Sequence, residues 1–249
     1  MIKKLCIIGN SHLGALAQSD SKMKAFAKAG FDVVFWGVPG KLFPQIACDE
    51  GMLLSPSPER SRIISSGRYG DLPLDDFDCI LFYGFKVELS KVAARITNQL
   101  ATLNKHSKAF QKEVITELIA TWWEKEFGRA LMQTVIDEKP EIRYLFTPDP
   151  LIASNEIYFS KITDLALLPT VVDALYSHCN DWCAVRGITF YRQPSKTLAS
   201  NKTTSEPSFS KNSIKMEAKQ PHPDDDYSHM NESYGDAIMG DLVKLLIAE

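Results

Sequence analysis

Two short blocks at opposite ends of the chain carry residue types that can do chemistry together. Gly9-Asn10-Ser11-His12-Leu13-Gly14 follows an apolar run, and Asp226-Tyr227-Ser228-His229 precedes the last helical pattern. A serine hydroxyl is a weak nucleophile until a base takes its proton, and imidazole has the ordinary pKa suited to that task. An Asp three residues before a His can reach the Nδ1 side of the ring across a loop-to-helix boundary. It then fixes the tautomer and stabilises the imidazolium formed when the other nitrogen accepts a proton. Alone, the second block reads as a solvated helix start with Asp as a cap, and the first reads equally as a structural turn. Joined across the 215 residues that separate Ser11 from Asp226, they specify a relay of Ser11, His229 and Asp226.

Competing chemistries fit the first block less well. A phosphate-binding loop needs Lys and Ser/Thr after its second glycine, where Ala15 and Leu16 stand. A dinucleotide fingerprint needs a glycine where Ser11 stands, so the close backbone approach is lost. Cys179 and Cys183, four apart beside His178, have no second ligand pair at zinc spacing and read as helix core. His106 and His178 fall on helical patterns without an acidic partner. Trp122 and Trp123 offer a sugar-binding surface or, by their spacing from Leu118 and Ile119, core packing. Asp149, in Thr147-Pro148-Asp149-Pro150, reads as a turn residue at the ligand-binding edge of a sheet.

These residues need elements that hold them. Leu5–Ile8, Val33–Trp36, Cys79–Tyr83, Arg143–Thr147 and Ile188–Tyr191 are short, continuously apolar runs suited to strands covered on both faces. One helix is expected from Leu13 to Phe26, ending at Gly30. Two or three fall within Ser90–Glu138, one within Pro169–Val185, and one from about Met230 to Ala248. Alternating strands and helices predict a parallel sheet with crossover connections. Ligands of such sheets bind beyond the carboxyl ends of the strands, where Ser11 lies. Residues 50–76 read as a long polar connection. Residues 196–220, rich in Ser, Thr, Lys and Asn, read as a mobile surface insertion in a single domain spanning 1–249.

The block order resembles that of the SGNH, or GDSL-type, serine hydrolases. Their nucleophile follows strand one in a Gly-Asp-Ser-like block, matched here by Gly9-Asn10-Ser11 with Asn10 in place of the usual Asp. Their Asp-x-x-His near the C-terminus is matched by Asp226–His229. The family's second-block glycine, an oxyanion-hole donor, is best matched by Gly40, with Gly37 as the fallback. The third block, Gly-x-Asn-Asp, departs: Gly84-Phe85-Lys86-Val87 puts Lys86 in the place of the oxyanion-hole asparagine. Losing one such donor typically costs about 10²–10³ in rate unless another group replaces it. A lysine ammonium can replace it, can bind an anionic substrate group, or can be a solvated surface charge.

The resemblance implies a flavodoxin-like, three-layer α/β sandwich with about five parallel strands. It implies ester hydrolysis or O-acyl transfer, often on acetylated carbohydrate, without metal or cofactor. The amide of Ser11, the amide of Gly40 and Lys86 are the expected oxyanion donors; Asn10, His12, Tyr83 and Phe85 are expected to contact substrate. The non-enzymatic alternative is a glycan-binding protein that kept the fold and lost the third block.

Composition narrows the class. Twenty-eight Lys and Arg against thirty-one Asp and Glu leave a net charge of −3, without the broad basic footprint of a nucleic-acid binder. No apolar run approaches the ~20 residues of a membrane span. The opening Met1-Ile2-Lys3-Lys4-Leu5-Cys6-Ile7-Ile8 imitates a signal peptide, but its apolar core of four residues is short of the ~7–15 required. With five scattered cysteines, an odd number, the expectation is a cytoplasmic protein acting on a small-molecule or carbohydrate ester. Oligomeric state is left open.

Overall fold

The computed structural model describes residues 2–102, 107–216 and 220–248; His106 lies outside them. The elements run β1 (Lys3–Gly9), α1 (Leu13–Ala17), α2 (Asp20–Lys28), β2 (Phe31–Gly37), β3 (Ala47–Asp49), β4 (Met52–Leu54), α3 (Pro58–Ile64) and β5 (Leu72–Pro73). They continue with β6 (Cys79–Gly84), α4 (Leu89–Ala101), α5 (Lys108–Glu124), α6 (Phe127–Glu138), β7 (Arg143–Pro148), α7 (Glu156–Phe159), α8 (Leu168–Ala184), β8 (Thr189–Phe190) and α9 (Glu232–Ile247).

Five strands form one parallel sheet in the order β2-β1-β6-β7-β8. Counted within that sheet, the order is 2-1-3-4-5, the flavodoxin-like arrangement, and its switch point falls between β1 and β6. The period of two along β1 divides its side chains between two cores. Cys6 and Ile8 join the layer packed with α4, α5, α6 and α8. Leu5 and Ile7 join the layer packed with α1, α2 and α9. Both faces are therefore covered, which is why the strands read as unbroken apolar runs. The expected three-layer α/β sandwich is the observed architecture.

The details depart in places. The expected first helix is two, α1 and α2, parted at Ser19, whose backbone leaves the helical region (ψ 63°) and whose hydroxyl donates to Asp236 on α9. The last strand is only two residues long. Residues 50–76 are not a plain connection: they carry α3 and two strands of a small antiparallel sheet, β3-β4-β5. Of residues 196–220, expected to be a mobile insertion, 217–219 lie outside the described residues, and the stretch from 197 to 205 packs into the body. Thr197, Thr203, Thr204 and Ser205 are at most 2% exposed. Gln193 ties this segment down, accepting from the Leu151 amide (2.9 Å) and donating to Thr197 Oγ1 (3.1 Å) and Ser205 Oγ (2.8 Å). Trp122 and Trp123 are core, 8% and 1% exposed, not a sugar platform. Cys179 and Cys183 are buried in the same core with free thiols. No helix among the described residues is long and apolar enough to cross a membrane.

One close approach joins the two ends of the chain. A Cβ on Gly235 would lie 1.9 Å from the Ala15 carbonyl oxygen, so only glycine lets α9 rest backbone-to-backbone on α1. That contact sets the loop before α9 beside the turn after β1.

Candidate active site

Ser11 follows β1 at the switch point of the sheet. Asn10 shapes the turn: its Oδ1 accepts from the His12 amide (3.0 Å), and its Nδ2 donates to the buried Asp149 carboxylate (3.1 Å) after β7. The loop before α9 is held as firmly. Asn231 caps α9 through the Tyr234 amide and donates to the carbonyls of Ser208 and Lys211, while the Tyr227 carbonyl accepts from the Ala153 amide. Both partners of the reactive pair thus sit on braced backbone.

Ser11 Oγ lies 2.8 Å from His229 Nε2, and His229 Nδ1 lies 2.6 Å from Asp226 Oδ2. Asp226 Oδ1 accepts from the His229 amide, the Ser228 amide and the Ser228 hydroxyl (3.1, 2.9 and 2.7 Å). Burial pushes the Asp226 carboxyl up, but the hydrogen bonds from His229 and Ser228 outweigh it and hold the group well below the usual carboxylate range. An ionised Asp226 only accepts, so Nδ1 carries the ring proton and Nε2 is left to receive the Ser11 proton. Sequence reasoning named these three residues, and the fold brings all three together.

Two further imidazoles flank His229. His222 stacks on it with ring centroids 3.9 Å apart and an interplanar angle of 11°, and places its own Nδ1 3.2 Å from Asp226 Oδ2. Its backbone amide donates to the Ser213 carbonyl, so the polar segment positions it. His12 lies on His229 at 5.2 Å. Burial first, then the neighbouring His229, lowers His12 to about 3, so it stays neutral. His222 escaped sequence reasoning; its one signal was its place four residues before Asp226. His222, Asp226 and His229 put three donor atoms within 4.8 Å of one another, a set able to accept a metal ion. A metal there would have to displace the proton that orients His229.

Gly40 and Lys86, the two residues expected to serve the oxyanion with Ser11, lie side by side: the Lys86 ammonium is 3.7 Å from where a Gly40 Cβ would stand. Lys86 Nζ also donates to Glu88 (3.2 Å). Among the described residues, the amides of Ser11 and Gly40 have no protein acceptor. Gly37, the fallback, ends β2 packed against β1: a Cβ there would lie 1.8 Å from the Gly9 carbonyl oxygen. Two expected substrate contacts are wrong. Tyr83 and Phe85 are 1% and 0% exposed. Tyr83 points into the α9-side core, and Phe85 turns back against Phe43 and Phe82, each at 4.8 Å. The left-handed backbone from Gly84 to Lys86 reverses the strand's alternation and drives the ring inward. Asn10, Ser11, Gly40, Lys86 and His229 border both a cleft of about 960 Å³ and a smaller one of about 230 Å³, which His12 also lines.

Neither a family model nor a curated protein matches the sequence. Solved structures match the fold. A candidate acylhydrolase from Bacteroides fragilis NCTC 9343 covers 99% of this chain and 86% of its own, with a TM-score of 0.50 at 13% identity. The fold is that of the SGNH hydrolases. A GDSL-like lipase from Bacteroides thetaiotaomicron VPI-5482 covers 99% of this chain and 88% of its own (TM-score 0.47, 12% identity). A carbohydrate acetylesterase family member from Sinorhizobium meliloti covers 98% and 97% (TM-score 0.46, 12% identity). In this fold Ser11 follows the first strand and Asp226 and His229 precede the last helix. Asn10 and Lys86 are the departures from the SGNH pattern.

Proposed function

We propose that the protein is a serine-dependent enzyme acting on carboxylic esters, with Ser11 as nucleophile, His229 as base and Asp226 as the group that orients and charges the base. The observation that carries this reading is the continuous run of short contacts from Ser11 Oγ through the imidazole to Asp226. His229 Nε2 takes the hydroxyl proton as Ser11 Oγ bonds to the ester carbonyl carbon. The oxyanion is held by the Ser11 and Gly40 amides, with Lys86 supplying positive charge in place of the missing asparagine. The tetrahedral species collapses, the ester C–O bond breaks, and the imidazolium returns its proton to the departing alkoxide. Water, deprotonated by His229, then attacks the acyl-serine and releases the acid. A substrate hydroxyl in place of water makes the second half an acyl transfer, and the same side chains serve both. Expected substrates are O-acylated small molecules or carbohydrates; the smaller cavity suits a short acyl group such as acetyl.

The test is turnover of 4-nitrophenyl acetate. Ser11→Ala and His229→Ala are each expected to lose on the order of 10⁴–10⁶ in kcat, and Asp226→Ala somewhat less. Wild-type rates in Ser11→Ala would overturn the reading and favour a glycan-binding protein. Supplying an acyl donor with a sugar acceptor, and following the acceptor's mass, separates transferase from esterase.

A further inference from the structure

The two cavities that meet at Ser11 differ in charge. The larger cleft is bordered by four cationic side chains, Lys41, Arg60, Lys86 and Lys215, and by no carboxylate among the described residues. The smaller one pairs Lys86 and Lys91 with Glu88 and Asp149. Glu88, half-buried, is held below its usual range: burial pushes it up, but Lys91 and Lys86 more than offset that. Its carboxylate is thus committed to those two lysines, at 2.8 and 3.2 Å. Lys41 and Lys215 form no ion pair with any described residue, and both are exposed at the rim. In a chain whose net charge is −3, these cations gather around one opening, and no carboxylate among the described residues lies on its lining. Like charges crowded around a cleft repel one another, and a bound anion removes that cost. Val38, Leu42 and Met216 line the same cleft, so the anion is carried on an organic frame with apolar faces.

We propose that the ester substrate carries an anionic group, a carboxylate or phosphate, that seats in the larger cleft against Lys41 and Lys215 while its carbonyl lies at Ser11. This rests on the ester-acting reading above and adds the substrate class. The anion belongs to the alcohol or to the acyl half, and the experiment separates the two.

Two matched ester pairs serve as probes. In 4-acetoxybenzoate and its methyl ester the charge sits on the alcohol half. In 4-nitrophenyl hemisuccinate and 4-nitrophenyl butyrate it sits on the acyl half. The readout is the kcat/KM ratio of charged to neutral member, with Ser11→Ala subtracted. In one pair the ratio is expected to exceed about tenfold at about 50 mM salt and to shrink toward unity near 500 mM, as the Debye length falls. It is also expected to drop at least about fivefold in Lys41→Gln/Lys215→Gln, because rim charges act on encounter and orientation. The pair showing the effect assigns the anion to its half. A ratio near one in both pairs, or one that survives the double substitution, overturns the proposal while leaving the ester-acting reading intact. Should no ester be turned over, that reading fails separately and the pocket is judged by equilibrium binding. The amides 4-acetamidobenzoate and N-(4-nitrophenyl)succinamic acid, against their uncharged methyl esters, are titrated by calorimetry into the wild-type protein and the double variant. A lysine-dependent preference of about tenfold for an anion supports the site, and equal binding overturns it.

Discussion

Asp149 offers the sharpest quantitative test of the site's electrostatics. It is 4% exposed, and burial pushes its carboxyl up to about 7 despite the hydrogen bond from Asn10. The unfolded chain titrates near 3.9, so the gap corresponds to about 4 kcal/mol at 1.36 kcal/mol per pH unit. The sign is unfavourable to folding. Between about pH 4 and 7 the folded protein holds a proton that the unfolded chain has released, so stability falls as pH rises through this window and is level above it. Asp149→Asn keeps an oxygen to accept from Asn10 Nδ2 and removes the ionisation. Asp149 Oδ2 has no partner among the described residues, so no hydrogen bond is lost there. The variant is expected to gain stability over wild type with rising pH, approaching a ceiling of about 4 kcal/mol at pH 8 relative to its value at pH 4. Urea unfolding of both proteins at five pH values from 4 to 8 measures the difference, in which titrations of groups remote from Asp149 cancel. A difference that does not change with pH would refute the reasoning.

Asn10→Asp, which restores the residue usual in the family, would set two carboxylates about 3 Å apart in a buried site. It is expected to cost on the order of 3 kcal/mol above pH 7. The exchange Asn10→Asp/Asp149→Asn should recover most of that loss, and a double-mutant cycle in urea checks the coupling. His222→Phe keeps the stack on His229 but removes the Nδ1 contact to Asp226; a hydrogen bond to a charged group contributes about 1.5–3 kcal/mol. Asp226 retains its other donors, so kcat is expected to fall about tenfold with KM little changed, and wild-type kinetics in the variant would deny His222 a positioning role. Gly235→Ala forces a methyl into the Ala15 carbonyl and is expected to cost about 1–3 kcal/mol in urea unfolding. It should also lower kcat by spreading the Ser11–His229 contact.

The parts of this architecture legible in the sequence are those fixed by short stretches of chain. Leu5–Ile8 and Cys79–Tyr83 announce buried strands because side chains alternate between two apolar layers. Asp226 and His229 lie one loop apart, so their spacing alone brings carboxylate to ring. The missed features depend on chain reversals that period and composition do not encode. Phe85 continues an apolar run on paper, yet the turn after β6 folds it under the sheet. His222 reaches Asp226 on a segment whose backbone is held by the Ser213 carbonyl. The Ser- and Thr-rich segment looked solvated, because composition counts hydroxyls without showing that Gln193 and neighbouring backbone groups satisfy them internally.

The two departures from the SGNH pattern each have a local physical setting. Asn10 stands where a carboxylate is usual in that pattern and donates to the Asp149 carboxylate, where a second buried carboxylate would repel the first when both are charged. Lys86 stands where an amide is usual, and the backbone there is unusual as well: Gly84, Phe85 and Lys86 have φ of 74°, 52° and 66°. A non-glycine residue held in the left-handed region costs about 1 kcal/mol or more. Two in succession persist only where surrounding contacts dictate them. Gly128 provides one such contact, since a Cβ there would lie 2.1 Å from the Phe85 carbonyl oxygen. The buried Phe85 ring anchors the turn from below, and the turn aims Lys86 at Gly40. A lysine that was merely a solvated surface charge would need neither the strain nor the anchor. The cost is therefore attached to where the ammonium points, beside Gly40 and onto Glu88.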